Sequence, residues 1–322
     1  MNDRDYMSTG GDESRANGSC AWVCRRTAVR VAAVLLLLLT TSACQRETKT
    51  ETPTAAAVVV DSVFSEDSVL IRYDVRGNGD RALVLVHCWS CDRSHWTDVA
   101  AHFSPMYKVV TLDLAGHGES GTNRAEWTMA AYGADVAAVV AKLDLPEVIL
   151  VGHSMGGTVM IEAARRLGGR VVALVGVDNL QNLEHRDTDE EIAGFMRQFE
   201  ADFPATTYEF VQRMFPATAD SVLADRVSTQ LASAPKAIAL GSFEHLFGYD
   251  YEDAFNAVRV PLRCINSDLY PTNVEANSRV ASSFAVRIMP GTGHFPHLTN
   301  PAGFNQLLHE TVAEFWPEKT AP

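Results

Sequence analysis

Val148-Ile149-Leu150-Val151-Gly152-His153-Ser154-Met155-Gly156-Gly157 is the stretch that decides the fold. A β-branched apolar run ends in Gly-x-Ser-x-Gly, and a segment with helical spacing follows. That order describes a serine on a sharp strand-to-helix turn, with its hydroxyl pushed into the open. Gly152 and Gly156 stand where a side chain would crowd the helix against the strand. Met155 opens the helix. The first amides of a helix have no partner inside it, so the Met155 N–H is a candidate donor to a developing oxyanion.

Outward from this turn, Ala82–His87 reads as a buried strand followed by Cys88-Trp89. Tyr107–Asp113 is a second strand and runs into Leu114-Ala115-Gly116-His117-Gly118-Glu119-Ser120. Gly291-Thr292-Gly293-His294-Phe295 precedes the last helix-like segment. With these four motifs in this order, the chain resembles the α/β-hydrolases, in the branch with a helical cap and a serine nucleophile. The resemblance covers residues 61–318 and implies a mostly parallel central sheet flanked by helices, with a helical cap inserted.

The apolar periodicity independently favours an α/β chain, because strands alternate with amphipathic segments. Val58 to Val75 suits an opening antiparallel pair. Met129, Tyr132, Val136, Val139, Val140 and Leu143 keep helical spacing. Val171–Val177, Pro261–Ile265 and Ser283–Met289 read as further strands, and Phe304 to Phe315 as the closing helix. Residues 180–256 hold no convincing strand. Ile192, Phe195, Met196 and Phe199 instead recur as one helix face, and eight of the fourteen Phe lie in this segment. A cap this apolar should turn some of its surface toward Ser154, favouring an acyl or other apolar group in the substrate. It would also exclude water and gate entry.

Ser154 needs a base to take its proton. Among ten histidines, the resemblance implies His294, in the loop between the last strand and last helix, with His297 the runner-up. His87, His117 and His153 are expected to be structural. A carboxylate must hold the imidazole tautomer, and the fold requires the chain order Ser, Asp, His. Asp268, after the strand at 261–265, holds the commoner location for this acid and is favoured. Asp178, after the strand that follows the elbow helix, is the alternative. The resemblance also implies the Trp89 amide as second oxyanion donor. Its usual His-Gly is here His87-Cys88, and Cys91 completes Cys-x-x-Cys. Two unpaired thiols in a packed loop are expected there, a redox switch being the alternative. Cys264, in a strand-like run, is expected to be buried and inert.

The chain has 322 residues, is 47% apolar and carries a formal charge of −13. These values suit one large domain with an insertion, or two small domains, and argue against a nucleic-acid partner. Outside the Cys-x-x-Cys, metal-ligand spacing is absent, and no dinucleotide fingerprint occurs, so no cofactor or metal is expected. Arg25, Arg26 and Arg30 precede an apolar run, Val31–Leu39, too short for the ~20 residues that span a bilayer. It suits a secretory signal and ends in Thr40-Thr41-Ser42-Ala43-Cys44, which resembles a bacterial lipobox with Thr41 in place of the usual Leu. The expected organisation is a signal peptide with a polar extension (1–43), and a lipidated Cys44 with a disordered tether (44–60). The core follows in two parts (61–179 and 257–318), with the cap (180–256) between them. The protein would then sit in the bacterial cell envelope, anchored to a membrane.

The favoured activity is hydrolysis of a small or medium carboxylic ester with an apolar part, through an acyl-enzyme on Ser154. C–C bond hydrolysis, lactone opening and perhydrolysis would use the same residues, because function resides in the pocket and not in the fold. A ligand-binding lipoprotein of poor turnover is the non-enzymatic alternative.

Overall fold

The computed structural model describes residues 57–317. The expected signal peptide, Cys44 and most of the tether lie outside the described residues. Eight strands form one sheet: β1 (Val59–Phe64), β2 (Leu70–Arg76), β3 (Arg81–Val86), β4 (Lys108–Leu112), β5 (Glu147–His153), β6 (Val171–Val177), β7 (Leu262–Ser267) and β8 (Phe284–Met289). Their spatial order is β1-β2-β4-β3-β5-β6-β7-β8. β2 is antiparallel to β1 and β4, and the remaining neighbours are parallel.

The interior strands are apolar at nearly every position because the sheet is covered on both faces. Successive side chains point to opposite faces, and β3 shows the consequence. Leu83 and Leu85 join a core with Val99 and Phe103 of α1 (Thr97–Phe103). Ala82, Val84 and Val86 join the opposite core. That second core takes Val136, Val139 and Val140 from α2 (Met129–Lys142), and Val159, Met160 and Ala163 from α3 (Met155–Leu167). α2 starts at Thr128, whose side chain accepts from the Ala131 amide and so caps the helix.

Between β6 and β7 run five helices: α4 (Asp189–Arg197), α5 (Phe203–Gln212), α6 (Ser221–Ala232), α7 (Lys236–Phe247) and α8 (Tyr251–Ala257). α4 opens with a capping box made by Thr188 and Glu191. Phe195, Phe199, Phe210, Phe243 and Phe247 contact one another at centroid separations of 4.9–6.3 Å. The apolar periodicity of this segment is therefore spent on one aromatic cluster. α9 (Val274–Val280) links β7 to β8, and α10 (Pro296–Thr299) and α11 (Pro301–Ala313) follow β8. Phe304, Leu308 and Val312 of α11 close the core on the α1 side.

Candidate active site

The functional groups gather at the carboxyl ends of β3, β5 and β6 and in the loop after β8. This is where parallel sheets present their ligand sites, because every strand delivers a loop to the same edge. Ser154 follows β5 with φ 52° and ψ −120°, a positive-φ conformation that a non-glycine residue adopts at a cost. The turn closes only because its neighbours lack side chains. A Cβ on Gly152 would lie 2.2 Å from the Gly156 carbonyl oxygen. One on Gly156 would lie 2.5 Å from the carbonyl oxygen of Val86. The elbow is thereby pressed against the end of β3, which brings the start of α3, with Met155, beside the loop that carries Trp89.

Two ties fix the elbow from the next strand. The Ser154 amide donates to Val177 O at 3.0 Å. Asn179 Nδ2 donates to Gly152 O at 2.7 Å and to Ser154 O at 3.0 Å. Asn179 itself is held by Asn266, whose Nδ2 donates to Asn179 O (3.0 Å) and whose Oδ1 accepts from Asn179 N (3.2 Å). Sequence reasoning did not single out Asn179 or Asn266. The available signal was a polar residue in or just beyond the end of an apolar strand.

His294 Nδ1–H donates to Asp178 Oδ2 at 2.6 Å. The carboxylate beside His294 is thus Asp178, at the end of β6, and the expectation for Asp268 is corrected. Asp268 is exposed, and its Oδ1 accepts from the Gly291 amide at 2.8 Å. The physical reason lies in the neighbouring strand. β7 continues through Ser267, and the Ser267 amide donates to Asp178 Oδ1 at 2.7 Å. The β7 end therefore supports an acid carried by β6 instead of supplying one. Burial alone would raise the Asp178 carboxyl. The hydrogen bond and charge of His294, with the Ser267 contact, outweigh it and hold the pKa below the usual carboxylate value.

The other histidines separate from the site by their partners. His153 Nε2–H donates to His294 O at 2.7 Å, so it braces the backbone of the histidine loop. Burial holds His153 well below the usual imidazole pKa, which keeps it neutral. His297 is buried and stacks on Trp96 at 4.5 Å, away from Asp178. His87 Nδ1–H donates to Cys88 O at 2.7 Å, while Nε2 accepts from the Leu114 amide at 3.0 Å. It joins the Trp89 loop to the turn after β4. That turn wraps Asp113, which accepts from the amides of Arg93 and Glu119 and pairs with the Arg93 guanidinium. Gly118 has φ +51° there, and a Cβ at this position would strike the Asp113 carboxylate, so the turn takes glycine on both counts. Burial lowers His87 to about 4 and His117 to about 3, so both are neutral near pH 7.

Cys88 and Cys91 are joined by a disulfide, which corrects the expectation of two free thiols. His95 lies close to both sulfurs, but disulfide sulfurs are not thiolate ligands, so the cluster does not amount to a metal centre in this state. Cys264 is buried, and burial pushes its thiol up to about 12, leaving it unreactive.

Ser154 and His294 line a cavity of about 290 Å³ whose remaining wall is largely apolar: Trp89, Phe195, Phe210, Met214, Phe243 and Phe295. Trp89 stacks on Phe243 at 3.9 Å, and its indole N–H donates to Ala239 O in α7 at 2.7 Å. One residue thus joins the β3 loop to the cap over the serine.

Among curated proteins, the chain is 27% identical over 252 residues to a pimeloyl-[acyl-carrier protein] methyl ester esterase of Yersinia enterocolitica, covering 74% of this chain and 95% of that one. Among solved structures, an esterase from Exiguobacterium antarcticum superposes with a TM-score of 0.72 at 18% identity, covering 79% of this chain and 99% of the other. A thermophilic esterase from Thermogutta terrifontis gives 0.69 at 20% identity, over 80% and 99%. These two likenesses speak to the fold. The profile of the alpha/beta hydrolase family matches residues 83–307, from β3 into α11 and across elbow, acid and histidine loop, and the chain belongs to that family.

Proposed function

We propose that this hydrolase cleaves carboxylic esters with an apolar acyl part, through an acyl-enzyme on Ser154. The observation that carries the proposal is the 2.6 Å contact of His294 Nδ1 with Asp178, His294 and Ser154 both lining the apolar cavity. Asp178 holds the Nδ1–H tautomer, which leaves Nε2 to accept a proton. Ser154 Oγ attacks the carbonyl carbon and its proton passes to His294 Nε2. The C–O bond breaks, and the alcohol leaves with that proton. Water then attacks the acyl carbon, gives a proton to His294, and the acid departs as Ser154 recovers its own. The amides of Met155 and Trp89 are the oxyanion donors in this scheme, each backbone-fixed and so preorganised. The names of the esterase relatives support the ester as substrate, and the aromatic wall supports the apolar acyl group.

A fluorophosphonate probe tests the nucleophile. It should label the wild type and not Ser154→Ala, and ester turnover should disappear with the label. Undiminished turnover by Ser154→Ala would end the proposal. Lipid anchoring through Cys44 belongs to the same proposal and rests on the basic region, apolar run and small residues before that cysteine. Membrane fractionation of wild type against Cys44→Ser checks it, since loss of stable anchoring should shift the variant to the soluble fraction.

A further inference from the structure

Ser154 and His294 line two cavities. Beside the aromatic chamber is a second chamber, also of about 290 Å³, with more polar groups in its wall, and the two share Ser154, His294, Leu246, Phe247 and Tyr270. The second is lined by Thr158, Gln181, Asn182, His185, Asp187 and Tyr251, with no Lys or Arg in its wall. Thr158 Oγ1 and Tyr251 Oη lie 2.9 Å apart as a hydroxyl pair. His185 Nε2 lies 3.3 Å from Asp187 Oδ1. Asp178 is committed to His294, so Asp187 supplies the carboxylate of this wall that the catalytic residues do not use. Amides and hydroxyls both donate and accept, so the acceptor-only carboxylate, with no Lys or Arg beside it, tips the wall toward donor-bearing ligands. The chain's net charge of −13 adds a field of the same sign.

We infer that the second chamber binds the alcohol half of the ester, and that this alcohol bears further hydroxyl or ammonium groups and no anionic group. The inference rests on the ester-hydrolase proposal and extends it. With the acyl chain against the aromatic wall, the scissile carbon is at Ser154 and the alcohol projects into the polar chamber. Hydroxyl or ammonium donors there meet Asp187, the Gln181 side-chain amide oxygen and the Thr158–Tyr251 pair. A carboxylate or phosphate in that place would lose water, face Asp187 and find no cationic Lys or Arg in the wall, which disfavours it.

Three hexanoyl esters test this, made with glycerol, choline and the hydroxyl of glycolate. Each kcat/KM is divided by that ester's own hydroxide-catalysed rate, which removes differences in intrinsic reactivity. The glycerol and choline esters should exceed the glycolate ester by on the order of 10-fold or more. Asp187→Asn should shrink the choline-to-glycolate ratio several-fold, with Asp187→Ser as a second variant. A ratio measured within one variant does not depend on how much of it is folded. A glycolate ester that matches or beats the others overturns the inference. So does a ratio that both Asp187 variants leave untouched. If none of the three is turned over while a fluorophosphonate still labels Ser154, the alcohol assignment fails and the serine-hydrolase chemistry stands. If the probe also fails to react, both fall together.

Discussion

The sheet ends and the cap hold the two sides of the cavity by different physics. At the sheet ends, each reacting group is fixed by directional bonds to backbone or to a buried carboxylate. Ser154 is tied through Asn179, His294 through Asp178 and His153, and Asp178 through the Ser267 amide. In the cap, Phe195, Phe199, Phe210, Phe243 and Phe247 hold one another through ring contacts alone. Directional bonds specify position within a fraction of an ångström, and a small displacement is costly to chemistry. Aromatic packing specifies volume and tolerates rearrangement. Changes at the sheet ends should therefore appear in kcat, and changes in the cap in stability and acyl preference.

The largest expected effect breaks a directional bond. Asp178→Asn leaves the His294 tautomer unfixed and should lower kcat by ~10⁴-fold, the scale known for this substitution in serine proteases. Asp268→Asn removes only an exposed contact to the Gly291 amide and should stay within a few-fold of wild type. Steady-state kinetics on both variants, with circular dichroism to check folding, decides this. Equal losses would erase the distinction drawn between the two strand ends.

A cap substitution comes next. Phe243 is buried, stacks on Trp89 and lines the aromatic chamber. Phe243→Ala should cost about 3–5 kcal/mol of stability, the usual range for a buried Phe. Below its melting temperature the variant should keep most of its kcat and move its preference toward longer acyl chains. A loss of kcat comparable to that of Asp178→Asn would show that the cap positions the chemistry after all.

A dependence of stability on pH is the last prediction. His87 and His117, buried in the loop and turn under the site, have pKa values lowered by burial to about 4 and about 3. Unfolding returns them to about 6.5, so the unfolded chain binds more protons below that pH. Their contribution is fully present above pH 6.5. It is lost progressively as pH falls below 6.5, until the folded values are passed. Urea unfolding at pH 7.5 and pH 5 measures it. Stability that rose on acidification would contradict the neutral, structural assignment of these histidines.

What was legible in the sequence follows the same division. The elbow was legible because its constraint is local: Gly152, Ser154 and Gly156 lie within five residues, and the clashes that the two glycines avoid are within the turn or with a neighbouring strand end. The strands were legible because burial on both faces leaves long apolar runs. The acid was not. Asp178 and Asp268 both follow strands, and only the register of β6 against β7, which sets the Ser267 amide against Asp178, separates them. Asn179 was missed for the same reason, since its partners lie 25 and 87 residues away. The cap's helical faces were visible, but the second chamber was not, because it joins Thr158 of α3 to Asp187 and Tyr251 across the insertion.

The central claim is that Ser154 carries the acyl group with Asp178 and His294 behind it. Rapid-quench mass spectrometry during turnover of a hexanoyl ester tests it most directly. A hexanoyl adduct should appear on the peptide containing Ser154 and decay at the turnover rate. In Asp178→Asn the same adduct should form far more slowly. Sustained ester turnover with no adduct, or with an adduct on another residue, would contradict the account.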